Sequence, residues 1–278
     1  VFEYYSQPYS MNAKTMGRVW SFRDITLRAN LESELQHQAT HDGLTGLPNR
    51  VLLLDRIRQA MKRCDRRNTL AGVFFLDLDR FKLINDSLSH EAGDEILRQV
   101  TERLSSVMRR EDTLARLGGD EFVIVVTDVE DKAHFRQLAL KLLALFNEPF
   151  FVEKQEINMT TSIGVAMYPN DGNSIDSLLR NADTAMYYAK ELGSNQFQFY
   201  TQELNRKNLQ RLEKEVELRQ ALARNEFFLT YQPQYDLNSQ KLVSVEALIR
   251  WQHPTKGLIY PINFIPTAEE SGLIVPIG

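Results

Sequence analysis

The chain is poor in the features that mark a secreted, membrane-embedded or nucleic-acid-coating protein. It holds one cysteine, Cys64, so an internal disulfide is excluded and a reducing compartment is expected. It lacks any run of the ~18 apolar residues that a membrane helix needs. The longest candidate, Leu138 to Val152, is broken by Lys141, Asn147, Glu148 and Pro149. No signal peptide is visible. Basic residues are outnumbered, 33 Lys and Arg against 37 Asp and Glu. That balance argues against a protein that holds nucleic acid on a basic face. A cytoplasmic location without a nucleic-acid partner is therefore expected. The hydrophobic share of 43% over 278 residues suits a globular protein of one or two domains. Both termini lie inside apolar patterns, so the chain reads as a piece of a larger protein, and any membrane anchor would lie elsewhere in it.

What is present centres on Arg116-Leu117-Gly118-Gly119-Asp120-Glu121-Phe122, followed by Val123-Ile124-Val125-Val126. A Gly-Gly pair between two strand-like runs signals a hairpin, because glycine takes positive φ without steric cost. Two carboxylates at the start of a buried strand are harder to explain by folding. Bare backbone beside two acids suits a metal-bound phosphate. An ordinary hairpin with solvated acids is the plain alternative. A second acidic cluster weakens it: the apolar run Val73-Phe74-Phe75-Leu76 leads into Asp77-Leu78-Asp79. Two acid-tipped strands that converge meet the needs of metal-assisted phosphoryl transfer.

In chain order, residues 1–26 read as a β-hairpin around Gly17, with Tyr4, Tyr5, Tyr9, Val19, Trp20 and Phe22 in short runs. Residues 27–40 read as a helix with a stripe of Leu27, Leu31 and Leu35. It either pairs with a second copy or rests on its own domain. The loop 41–50 precedes an amphipathic helix from about Val51 to Cys64. The strand 71–78 follows, then a helix from Ala92 to about Met108, then the Gly-Gly hairpin. A helix at 131–146, an alternating strand at 156–168, a helix at 174–192 and a short strand at 197–200 complete this unit. The fold class is α+β, a ferredoxin-like or polymerase-palm arrangement with a central antiparallel sheet flanked by helices. It would set the ends of strands 71–78 and 121–126 side by side. Residues 202–225 read as a connecting helix with Leu209, Leu212, Val216 and Leu222 apolar. Residues 226–278 begin with two further strands, whose unpartnered edges predict disorder or swapping.

Residues 41–201 resemble the GGDEF family, diguanylate cyclases that join two GTP into cyclic di-GMP. The matching motifs are Asp42 to Arg50, Asp77 to Lys82, Asn85-Asp86, Gly118 to Phe122 and Ala185 to Lys190. Residues 226–278 look like the first strands of an incomplete EAL α/β barrel, the cyclic di-GMP phosphodiesterase, through Tyr231-Gln232-Pro233, Glu246-Ala247-Leu248, Arg250 and Pro261 to Ile265. Gly17 to Thr26 resembles the closing strand of a PAS sensor domain. This makes 1–26 a sensor's end and 27–40 a signalling helix.

The resemblance implies the following roles. Asp77 and Asp120 hold Mg²⁺ (or Mn²⁺) by carboxylate and Leu78 by its carbonyl. Glu121 binds metal and activates the ribose 3′-hydroxyl, or acts only electrostatically. Asn85 and Asp94 read guanine, with a helix cap the plain alternative for Asp94. Lys82 and Lys190 hold phosphate beside Gly118 and Gly119. Arg109 and Asp112 form a site where the product cyclic di-GMP inhibits, or else merely end a helix. Catalysis needs a homodimer, one GTP per domain. Glu246 matches an EAL metal ligand, Gln232 and Arg250 substrate contacts, but the EAL portion lacks its later ligands and is not expected to hydrolyse. One departure stands out: Ser194 occupies the place of an arginine on the triphosphate. The expected function is a product-inhibited diguanylate cyclase. The alternative is a silent GTP-binding module that regulates the attached EAL domain. A template-directed polymerase is disfavoured by the lack of a basic groove.

Overall fold

The structure, a computed structural model, describes residues 1–11 and 14–278; the described side chains exclude 9–11, 14–16, 29, 32, 33, 36, 208, 209 and 270. Two compact units, Val1–Thr201 and Gln202–Gly278, divide the chain.

The first unit starts with an antiparallel hairpin of β1 (Phe2–Met11) and β2 (Lys14–Asp24). Gly17 is not its turn. It lies inside β2 opposite Tyr9, where the register shifts, as a glycine at a bulge does. The Tyr9 side chain lies outside the described residues. Helix α1 (Thr26–Thr40) leaves Leu27, Leu31 and Leu35 exposed by 75, 51 and 65%, so the stripe does not rest on its own domain.

Helix α2 (Arg50–Arg67) begins where the Asn49 side chain accepts the N–H groups of Val51 and Leu52. Then come β3 (Leu70–Leu78), α3 (Phe81–Ser87) and α4 (His90–Ser105). The sequence pattern shows α4 but starts it two residues late and runs it on to Met108; Ser89 caps it through the Ala92 N–H. Next are β4 (Thr113–Gly118), β5 (Glu121–Val129), α5 (Ala133–Ala144), β6 (Phe150–Val152), β7 (Gln155–Ile157), β8 (Thr161–Tyr168), α6 (Ile175–Glu191) and β9 (Phe197–Phe199). The single strand expected at 156–168 is two. Between them Asp79 takes hold of the chain: its N–H donates to the Thr160 carbonyl and its carboxylate accepts the hydroxyls of Thr160 and Ser162.

The central sheet runs β4-β5-β3-β8-β9, antiparallel except for the parallel pair β8–β9. Side chains alternate across β3. Phe74, Leu76 and Leu78 pack in one core with Ile96, Val100 and Leu104 of α4 and Phe135 and Leu142 of α5. Val73 and Phe75 pack in the other with Leu53 and Ile57 of α2 and Leu178, Ala182 and Met186 of α6. Each such burial contributes about 1.5–3 kcal/mol. Asp77 follows Val73 and Phe75 in the alternation, which turns it toward α6.

The second unit has α7 (Gln202–Ala223), an antiparallel sheet of β10 (Phe227–Tyr235), β11 (Leu242–His253) and β12 (Gly257–Ile259), and two short helices, α8 (Ile265–Glu270) and α9 (Ile274–Ile277). Its core is Leu218 and Ala221 of α7 with Trp251, Phe264, Ala268 and Leu273. The apolar face assigned to α7 is therefore displaced: Leu212 and Val216 are exposed, Leu222 is partly buried, and the Leu209 side chain lies outside the described residues. These residues fold about that core rather than lacking structure, because the helix supplies an apolar face to one end of the sheet. Toward the other end Leu229, Tyr231, Val243 and Val245 remain exposed. Among the described residues, no helix is long and apolar enough to cross a membrane.

Candidate functional site

Strands β3 and β5 pair so that Asp77 lies opposite Glu121. The two acid clusters meet, as a palm-like sheet requires. Asp120 sits in the turn before Glu121, after Gly118 at φ 143° and Gly119 at φ 51°. A Cβ at either glycine would meet nothing within 4 Å, so this tip is bare backbone facing open space.

Arg116 braces the tip. Its guanidinium donates to the Gly119 carbonyl from Nε at 3.1 Å and Nη2 at 2.8 Å, and pairs with Asp42 Oδ1 at 2.8 Å. The same Asp42 oxygen accepts from the Thr45 hydroxyl and N–H. The loop 41–49 is thus a strut behind the hairpin. Sequence reading assigned Arg116 and Asp42 no role, since nothing in a linear pattern joins residues so far apart.

Asp77 is 8% exposed, and its Oδ1 lies 2.6 Å from the Lys190 ammonium on α6. Burial pushes its carboxyl up to about 6; the Lys190 hydrogen bond opposes this and the Asp120 charge adds to it. Glu121 is also held above the ordinary range, by partial burial first, then by Asp183 and Asp120. Asp183 on α6 escaped the sequence reading. Crowded, partly buried acids of this kind suit a divalent cation, which neutralises them with hard oxygen donors. Among the described residues, no three His, Cys, Asp or Glu side chains already stand at ligating spacing; Lys190 partners Asp77 instead. Leu78 ends β3 opposite Thr161 and is buried. The charge of Asp79 also raises the Asp77 carboxyl, but its oxygens are engaged elsewhere. Asp79 binds Thr160, Ser162 and the Asn195 N–H, tying β8 to the turn after α6.

Asn85 on α3 and Asp94 on α4 flank the neighbouring contact between those helices. The Asn85 Oδ1 is buried without a hydrogen-bond partner among the described residues. It fills the space that a Cβ on Gly93 would occupy. Asp94 is half-buried and does not cap α4; Lys82 is exposed on α3. Gly93→Ala is expected to dislodge Asn85 and to destabilise by about 1–3 kcal/mol, as overpacking does. A denaturant midpoint equal to that of the parent chain would contradict this. A cleft of about 740 Å³ is bordered by Asp79, Arg80, Leu83 and Ile84 on one stretch of chain and by Lys190, Gly193, Ser194 and Asn195 on another; Asn85, Asp94 and Lys82 do not line it.

Arg109 and Asp112 line a separate pocket of about 580 Å³, together with Arg56 and Arg63 of α2, which sequence reading did not single out. Asp112 Oδ2 accepts the Arg109 N–H at 3.0 Å, while its Oδ1 is buried and unpartnered. Burial pushes this carboxyl up. In the second unit Gln232 lies opposite Glu246 on the β10–β11 pair. Arg250 shares that face, with its guanidinium 5.2 Å above the Tyr260 ring.

Comparison with known proteins agrees with this geometry. Residues 39–196 match the model of the diguanylate cyclase GGDEF domain, and residues 215–278 that of the EAL domain. The bifunctional diguanylate cyclase/cyclic di-GMP phosphodiesterase MucR of Pseudomonas aeruginosa is 43% identical over 91% of this chain and 37% of its own length. The cyclic di-GMP phosphodiesterase NbdA of the same organism is 42% identical over 87% of this chain and 31% of its own. The chain therefore spans about a third of these curated relatives. Among solved structures, the GGDEF domain of TpbB (YfiN) from P. aeruginosa superposes with a TM-score of 0.58 at 34% identity, covering 60% of this chain and 97% of that one. The coiled coil and GGDEF domain of DgcB from Caulobacter crescentus, in complex with c-di-GMP, gives 0.55 at 28% identity, covering 62% and 91%. The sheet that pairs Asp77 with Glu121 at a Gly-Gly tip, and the match over 39–196, establish that this chain belongs to the GGDEF family of diguanylate cyclases and continues into part of an EAL domain.

Proposed function

We propose that residues 41–201 condense two GTP into cyclic di-GMP and release pyrophosphate. The observation that carries this reading is the convergence of Asp77, Asp120 and Glu121 at a hairpin tip whose backbone lies open to a ligand. Asp77 and Asp120, with the Leu78 carbonyl, would hold Mg²⁺ or Mn²⁺, which supplies Lewis acidity at a phosphate oxygen. Lys190, 2.6 Å from Asp77, turns to phosphate. Glu121 takes the proton of the ribose 3′-hydroxyl. That oxygen attacks the α-phosphorus of the other GTP, and the bond to the pyrophosphate oxygen breaks. Asn85, with its unpartnered buried Oδ1, and Asp94 accept from the guanine N–H groups. Lys82 adds charge at the phosphates.

Two domains must face each other for this, because each binds one GTP. The exposed leucine stripe of α1 supports pairing of two chains through residues 27–40. Residues 1–26 then end a sensor domain, 202–225 connect, and 226–278 begin the EAL domain. Gln232, Glu246 and Arg250 share one sheet face there, as a substrate-facing set would. The pocket of Arg109 and Asp112 takes the product and slows the enzyme. Arginines and an unpartnered carboxylate oxygen suit a guanine and its phosphates. Turnover of GTP with Mg²⁺ should reach a plateau that Arg109→Ala lifts; a plateau unchanged in that variant sinks the inhibitory site.

A second reading has an observation in its favour. Ser194 brings no charge to the cleft, and a relative 42% identical is named for phosphodiesterase activity alone. The GGDEF unit would then bind GTP and regulate an EAL domain without making product.

A further inference from the structure

The structure assigns Arg80 to the terminal phosphates of the nucleotide, as a cation of the cleft that is unpaired among the described residues. The assignment rests on the nucleotide reading above. The cleft is bordered by two cations, Lys190 and Arg80, by Asp79, whose carboxylate is occupied by Thr160, Ser162 and the Asn195 N–H, and by the uncharged Ser194. Lys190 stands 2.6 Å from Asp77, so its charge is shared between that carboxylate and phosphate. Arg80 is exposed and makes no ion pair or side-chain hydrogen bond among the described residues. A guanidinium can fork two phosphate oxygens at once, which an ammonium cannot.

The backbone supports the placement. Arg80 stands at φ 62° and ψ 20°, in the left-handed region, just before α3. A side chain there carries a cost that glycine would not. The position is held from both sides. Leu83 donates its N–H to the Arg80 carbonyl at 3.0 Å. The preceding residue, Asp79, grips Thr160, Ser162 and the Asn195 N–H. One carboxylate therefore ties the residue before Arg80 to the 193–195 turn, and both border one cleft. The charge absent at Ser194 is offered by Arg80 on the border of that same cleft.

The test is calorimetric titration of the full chain with 3′-deoxy-GTP, which keeps the triphosphate but lacks the attacking hydroxyl, and with GMP. Arg80→Gly suits the left-handed backbone and keeps the fold. It is expected to weaken 3′-deoxy-GTP binding about 10- to 100-fold, the range for a charged hydrogen bond, and to leave GMP binding unchanged. Adding Ser194→Arg to Arg80→Gly should recover at least part of the loss. Equal losses for both nucleotides, or none for the triphosphate, would overturn the assignment while the nucleotide reading stands. A parent chain that binds neither nucleotide would overturn both.

Discussion

Glu121→Gln is expected to cut cyclic di-GMP synthesis by about 10²- to 10⁴-fold, the usual contribution of a positioned base. The glutamine keeps the shape of the side chain opposite Asp77 on the β3–β5 pair, so the tip should hold its form. What disappears is the proton acceptor. Burial, Asp183 and Asp120 all raise the proton affinity of Glu121, which makes it a better base than a solvated carboxylate. Those same neighbours make its ionised form unfavourable to the fold. Neutral glutamine should therefore leave thermal stability unchanged or slightly higher near neutral pH. GTP binding should stay within a few-fold. Product formation within tenfold of the parent, measured by chromatography, would rule out the base and leave Glu121 an electrostatic role.

Gly164→Ala should have the largest effect on stability. Gly164 lies on β8 under α6, and a Cβ there would run into the Ala182 carbonyl oxygen and the Met186 N–H nitrogen. Side chains can rotate away from such a contact; helix backbone cannot. Strand and helix must separate, and with them goes part of the core of Val73, Phe75, Leu178, Ala182 and Met186. The loss should reach about 4 kcal/mol or more, beyond ordinary overpacking. Lys190 lies one turn past Met186, so the variant should also lose the 2.6 Å contact with Asp77. Gly43 provides the control, since a Cβ there meets nothing within 4 Å. A Gly164→Ala chain that unfolds at the same denaturant concentration as Gly43→Ala would contradict this packing.

Local signals made much of the site legible. An apolar run that ends in Asp77 and a Gly-Gly turn that opens on Asp120 and Glu121 are each readable within ten residues, and one sheet brings them together. Long-range polar contacts left no such trace. Asp77 and Asp79 look alike in the sequence, yet Asp77 lies within β3 and turns toward Lys190, while Asp79 lies past the strand's end, in the turn before α3, and is held by Thr160 and Ser162. The Arg116–Asp42 strut and the approach of Asp183 to Glu121 depend on chain segments that only the fold adjoins. The helix at Phe81–Ser87 is two turns long and sits between stronger patterns, and the misread face of α7 arose because Trp251 and Phe264 select Leu218 and Ala221. Gly164 was invisible for a related reason. A glycine within an apolar strand shows its purpose only when the helix above it is placed.

The most direct measurement is turnover of GTP by this chain with Mg²⁺, quantifying cyclic di-GMP and pyrophosphate together, with Asp120→Ala alongside. The account predicts one cyclic di-GMP for every two pyrophosphates, and neither from Asp120→Ala. Tight GTP binding with no product, even when two copies are held together by a fused coiled coil, would contradict it and leave a nucleotide-binding regulator.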